Sequence, residues 1–129
     1  SAKALQYAHA VHVPGLVIDG KFNAQWLNSF VPTSTWPTWV QVEAAGRYSV
    51  LTYTIWPHDA AEYITQAPRA WSFQASNDEQ LWTTLDSRAN VVFQAAVARE
   101  FAVPTVSQRA SLAASGFRFF RLLISGINN

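Results

Sequence analysis

Six short segments of this chain carry the marks of β-strands, and turn signals separate them. Residues 38–43 (TWVQVE) alternate polar and apolar, the period-two pattern of a half-buried strand. Residues 70–75 (AWSFQA) alternate again and stop at Ser76-Asn77-Asp78, a turn cluster. Residues 47–56 (RYSVLTYTIW) are rich in β-branched and aromatic side chains and end at Pro57. Residues 81–85 and 99–103 read as shorter strands, the second closed by Pro104. Residues 117–124 (FRFFRLLI) form the strongest strand of all. A helical reading competes at 89–100 and at 107–114, where each segment can form a turn or two. Many short strands with turns between them point to a sandwich or jelly roll.

A chain of 129 residues fits one domain, 1–129. It has no cysteine, so disulfides and thiolate metal sites are excluded. Nine Lys and Arg face eight Asp and Glu, with no basic stripe, so nucleic acid is not an expected partner. The first residues lack the apolar run of a signal peptide, and no stretch reaches the roughly 20 apolar residues of a membrane-spanning helix. Charged residues are 13% and aromatic residues 14%, including six Trp. A small core does not need that many rings, which suggests that some are surface rings with a task. Two long irregular stretches, 26–37 and 58–68, are the natural places for them, because long loops in a compact domain usually carry function.

Four motifs, taken in order, resemble the discoidin-like family (coagulation-factor type C, galactose-binding-like). Val17-Ile18-Asp19-Gly20 with Trp26 resembles its early A-x-D-G…W element. Trp36-Pro37-Thr38-Trp39-Val40-Gln41-Val42 resembles its P-x-W-(I/V/L)-Q-V strand. Pro68 to Asp78 with Trp82 resembles its W-x-(I/F/L)-x-(G/A)-S-N-D-G-x-x-W hairpin, with Glu79 standing where the family has Gly. Arg99-Glu100-Phe101 and Phe117-Arg118-Phe119-Phe120-Arg121-Leu122 resemble its closing strands. The resemblance implies an all-β jelly-roll sandwich of about eight antiparallel strands. Trp39, Trp71, Phe73, Trp82, Phe119 and Leu122 are then expected as core or core-edge anchors, with Arg121 packed and salt-bridged. Family members often close with one more strand after the R-L strand; here either that strand is absent, or a strand near 6–13 covers the sheet edge, which if uncovered would invite pairing with another chain.

Catalytic chemistry has little support. No nucleophile elbow, phosphate loop or dinucleotide-binding glycine pattern is present. His9 and His12 have no nearby carboxylate to complete a metal site, and Asp59 and Glu62 beside His58 are the only acids close together in a loop. Family members that bind sugars often hold Ca²⁺ in a D-G-D-x-x-T-x-W loop. Here Lys21 replaces the second Asp and Ala24 the Thr, so the resemblance implies a lost metal site and no cofactor. Ligands of the family meet loops at one end of the sandwich. One such loop offers Asn28, Ser29, Phe30 and Trp36, and a second offers Trp56, His58, Asp59, Tyr63 and Arg69. A sugar needs an aromatic face and a few fixed polar groups. The candidate ligand-binding set is therefore Trp36, Trp56, His58, Asp59, Tyr63 and Arg69. Against it stands a plain reading in which Trp36 stacks on Pro37 and Arg69 pairs with Asp59 or Glu62.

The functional expectation is a non-enzymatic module that binds a glycan or other cell-surface ligand, at an extracellular or virion surface, in a bacterial or bacteriophage surface or fibre protein. Its rival is a structural module that binds other protein subunits, such as a virion decoration or docking domain.

Overall fold

The computed structural model describes residues 2–4, 32–57, 61–113 and 116–128. In chain order its strands are β1 (Ala2–Ala4), β2 (Thr38–Tyr48), β3 (Thr52–Ile55), β4 (Pro68–Ser76), β5 (Thr83–Arg88), β6 (Arg99–Ala102) and β7 (Phe117–Ile127). A 3-10 turn covers Ala61–Gln66, and one helix, α1, covers Thr105–Ala113. Five strands form an antiparallel sheet in the order β1-β2-β7-β4-β5, and β3 and β6 pair as a second, two-stranded sheet. The strongest strand of the sequence is thus the centre of the larger sheet, flanked by β2 and β4. β1 lies along the other side of β2, pairing Ala2 with Val42 and Ala4 with Val40. The strand expected near 6–13 lies outside the described residues.

Alternation decides what each strand buries. Val40 in β2, Trp71, Phe73 and Ala75 in β4, and Phe120 and Ile124 in β7 turn towards the smaller sheet and are buried. They meet Tyr53 of β3 and Phe101 of β6. Tyr53 stacks on Phe73 with ring centres 4.3 Å apart, and Phe101 meets Trp71 edge-on at 5.1 Å. Each such side chain, fully buried, contributes about 1.5–3 kcal/mol. One core cluster gathers Ala67, Trp71, Val91, Phe93, Phe101 and Ile124, and a second gathers Phe73, Ala75, Leu85, Val103, Phe117 and Phe120.

A polar chain crosses this core. Trp71 Nε1 donates to the Tyr53 hydroxyl at 2.8 Å, and that hydroxyl donates to Asp86 Oδ2 at 2.6 Å. Arg88 Nε reaches the same oxygen at 2.9 Å, and its Nη2 donates to the Ala102 carbonyl at 3.0 Å. Burial and the Asp86 carboxylate together push the Tyr53 phenol above its ordinary range. Every member has a partner, so the buried charge is compensated and the two sheets are locked in register.

The structure corrects several expectations. Residues 47–56 are not one strand: β2 ends at Tyr48 and β3 begins at Thr52 on the other sheet. The corner at Ser49-Val50-Leu51 contains neither Gly nor Pro, so local chemistry does not mark it. The strand expected at 81–85 begins at Thr83, leaving Leu81 80% exposed in the turn. Of the two helical readings, 107–114 corresponds to α1, whereas 89–100 forms no helix. There Val91 and Phe93 go into the core, and Asn90 and Ala96 adopt φ of 57° and 59°, which breaks helical geometry. Among the expected anchors, Trp71 and Phe73 are buried and Leu122 packs against both clusters. Trp39, Trp82 and Phe119 are only half-buried. Trp39 and Phe119 alternate with the core residues Val40 and Phe120 and so occupy the outer face of the larger sheet. Arg121 is packed, on Trp82, but its described hydrogen bond is to Gln74 rather than to an acid.

Candidate functional site

Antiparallel pairing brings one set of strand ends together. Thr38 at the start of β2 faces Ile124 of β7, and Pro68 at the start of β4 faces Ile127. Trp71 faces Arg88 at the end of β5, and Ile55 at the end of β3 faces Arg99. The connections before β2, after β3, before β4 and after β5 therefore crowd one end of the sandwich. Four of the six sequence-chosen residues are described, and all four belong to this end. His58 and Asp59 lie outside the described residues, as do Asn28, Ser29, Phe30, the histidines His9 and His12, and the altered metal loop with Lys21 and Ala24.

Each of the four is presented by its local chemistry. Trp36 sits in a tight turn: its N–H donates to Thr33 Oγ1 at 3.0 Å and its carbonyl accepts from the Thr33 N–H at 3.1 Å. The turn leaves Trp36 73% exposed. Trp56 precedes Pro57, which disfavours helical backbone at Trp56. Pro57 is buried, and Trp56 stays 56% exposed. Among the described residues neither indole makes a ring contact. Tyr63 stands on the 3-10 turn, 40% exposed.

Arg69, the second residue of β4, reaches across to the end of β5, where its Nη2 donates to Asn90 Oδ1 at 3.2 Å. Among the described residues Arg69 makes no ion pair with Glu62, and Asp59 lies outside them. The Asn90 bond braces the guanidinium from one side, and among the described residues the other N–H groups make no hydrogen bond. Asn90 is the residue that sequence reasoning missed. Its signal was an Asn two residues past the end of a strand, since Asn tolerates the left-handed backbone it adopts here. The backbone bond from the Val91 N–H to the Arg69 carbonyl, 3.1 Å, fixes the same junction. Two exposed indoles, a phenol and a braced guanidinium at one end can stack on a flat ring and donate to its oxygens.

No family model matches this chain, and no curated protein matches it. Solved structures match along nearly its whole length. A Clostridium perfringens module solved with GalNAc-β-1,3-galactose aligns at TM-score 0.76 and 14% identity, covering 98% of this chain and 84% of that one. A family 32 carbohydrate-binding module of the same organism, in complex with galactose, aligns at 0.71 and 13%, covering 98% and 82%. An F5/8 type C domain from Bacteroides fragilis aligns at 0.68 and 15%, covering 96% and 80%. The fold is the discoidin-like β-sandwich that the sequence motifs implied.

Proposed function

We propose that this discoidin-like sandwich is a non-catalytic carbohydrate-binding module whose glycan sits at the Trp36–Trp56–Arg69 end. The observation that carries the reading is the pair of exposed indoles, Trp36 and Trp56, on the same end as a guanidinium braced by Asn90. Burying aromatic surface is favourable in water, so rings left in solvent at a loop end suit a role outside the core. The indoles supply stacking faces, Arg69 supplies donors, and His58 and Asp59 from the neighbouring loop supply further polar contacts. That two of the similar structures are sugar complexes supports the same reading. An extracellular or cell-surface setting, with a bacterial or bacteriophage fibre protein as carrier, follows from this use and from the low charge. A single weak site gains avidity when its carrier is multivalent.

One observation favours a second reading, a docking module for protein subunits. The loop between β5 and β6, at the same end, exposes Val92 and Val97, which suit a protein partner better than a sugar.

A glycan-array screen followed by calorimetric titration of the best hit separates the two. A hydrogen bond to a charged donor is worth about 1.5–3 kcal/mol, so Arg69→Ala is expected to weaken the hit roughly ten- to a hundredfold. His58→Ala weakens it too. Affinity unchanged in both variants removes this site. An array without hits, together with partner association lost on truncating Trp36 or Trp56, selects the docking reading.

A further inference from the structure

The larger sheet has a second face, turned away from the core, and it carries a group that neither the core nor the loop end uses. The register sets Gln41, Arg121 and Gln74 side by side across β2, β7 and β4, with Trp39, Leu123 and Ser72 in the adjacent row. Arg121 lies flat on the Trp82 ring, its guanidinium carbon 3.9 Å from the ring centre. Its Nε donates to Gln74 Oε1 at 2.7 Å, and Gln74 is itself held by its Nε2 donating to Thr84 Oγ1 at 3.2 Å. Stack and bond together fix the plane of the guanidinium.

The two Nη groups are left over. Among the described residues neither has a hydrogen-bond partner, and no carboxylate pairs with Arg121. Two other carboxylates of the sheet are engaged by their own arginines: Glu43 by Arg118 at 2.7 Å, and the buried Asp86 by Arg88 at 2.9 Å. Burial holds the Arg121 guanidinium below its ordinary value, and among the described residues no carboxylate pairs with it to offset this. A half-buried cation without a counter-charge costs free energy that a bound anion recovers. The planar fork of Arg matches a carboxylate bidentately, and a stacked, pre-set fork loses little entropy on binding.

We infer that Arg121, held flat on Trp82 on the outer sheet face, binds the carboxylate of an acidic sugar, with the half-buried Trp39 as the ring beside which the sugar packs. Trp39 is opposite Leu123, two residues along β7 from Arg121, so the two are diagonal neighbours roughly 7–8 Å apart between backbones, within reach of such long side chains. The hydroxyls of Ser72 and Ser87, 3.3 Å apart, extend the same row and suit sugar hydroxyls. An aromatic plane beside a fixed charge and small polar groups favours a uronate over an acidic peptide. This site lies mid-sheet, apart from the loop end, and stands whether or not that end binds a glycan.

The test follows the indole N–H signals of the six Trp by NMR while the domain is titrated with tri-galacturonate and, separately, with its methyl ester. The expected result is that Trp39 and Trp82 shift with the acid, weakly or not at all with the ester, and less at high salt. Arg121→Gln and Arg121→Lys each weaken the acid about ten- to a hundredfold, the lysine because it lacks the fork. The Trp71 indole, in the core, reports that each variant remains folded. Shifts confined to Trp36 and Trp56 overturn this inference and leave the loop-end proposal intact. Equal affinity for acid and ester, no response to the acid, or equal response to oligo-glutamate also overturns it.

Discussion

Where β4 turns into β5, side chains close on the backbone through a dense set of hydrogen bonds; at the opposite end, where β4 begins, the described side-chain bonds are fewer. In the β4–β5 turn Ser76 Oγ accepts from the N–H groups of Asp78 and Glu79 at 3.2 and 3.0 Å. Asp78 Oδ1 accepts from Gln80 and Leu81, both at 2.9 Å. Asn77 then ties this turn to β7: its Nδ2 donates to the Gly116 carbonyl at 3.1 Å and its Oδ1 accepts from the Arg118 N–H at 3.1 Å. Gly116, at φ 84°, lies against the Tyr48 backbone. At the other end the side-chain bracing of Arg69 is one bond to Asn90, and the Trp36 and Trp56 rings stay in solvent. One end spends its polar groups on holding the fold. The other exposes the Trp36 and Trp56 rings and, among the described residues, holds Arg69 by a single side-chain bond.

This contrast is open to mutation, and the largest effect belongs to Gly116→Ala. A Cβ there would sit 2.6 Å from the Tyr48 carbonyl carbon, in a left-handed backbone that L side chains disfavour. Denaturant unfolding should show a loss of about 2–5 kcal/mol, combining backbone strain and overpacking. A loss under about 1 kcal/mol would mean that the β2–β7 contact gives way easily and that this end is not rigid. Asn77→Ala should follow, at about 1–3 kcal/mol, because it strips partners from two backbone groups at once, the partly buried Gly116 carbonyl and the exposed Arg118 N–H.

A pH measurement probes the same turn more gently. The backbone N–H groups of Leu81 and Gln80, then the Ser76 hydroxyl, hold the Asp78 carboxyl below the usual carboxylate range. A depressed folded value means that its contribution is fully present above the unfolded value of 3.8 and is lost as pH falls through the lower folded value. Wild type should therefore lose more stability than Asp78→Asn when taken from about pH 5 to pH 2. Parallel curves would show that the turn holds no more tightly to the charged carboxylate than to the neutral one. The smallest effect on stability is expected at the open end. Trp36→Ala and Trp56→Ala should each stay within about 0.5 kcal/mol of wild type, as exposed substitutions usually do. A cost above about 2 kcal/mol for either would make that ring a structural prop and erase the difference between the ends.

Much of this was legible in the chain itself. Ser76-Asn77-Asp78 announced the turn, and Glu79 in the family's Gly position marked where the backbone goes left-handed: its φ is 60°. Glu79 tolerates this in a turn whose Ser76 Oγ holds its N–H, while its carboxylate accepts from Gln41 Nε2 at 2.8 Å. Trp36, Trp56 and Tyr63 were chosen from loop length and residue type, with Arg69 added by the family resemblance, and all four side chains are exposed. Asn90, which braces Arg69, was not, because the two are 21 residues apart and only the β4–β5 pairing brings them together.

The sequence by itself determined the strand periodicity, the turn chemistry and the all-β class, since these depend on neighbours one to four residues away. Tertiary structure decided the rest. The alternation of 38–43 says that Trp39 and Val40 point to opposite faces, but not which face meets the second sheet; packing buried Val40 and left Trp39 on the outside. The run 47–56 was uniformly strand-like, and only the need to cover two sheets bent it at Ser49-Val50-Leu51. Residues 89–100 could form helical turns, yet burying Val91 and Phe93 against Trp71 and Phe101 outweighed that weak local preference. Local chemistry fixes what a segment can be, while burial of apolar area across distant segments selects which of those options the chain adopts.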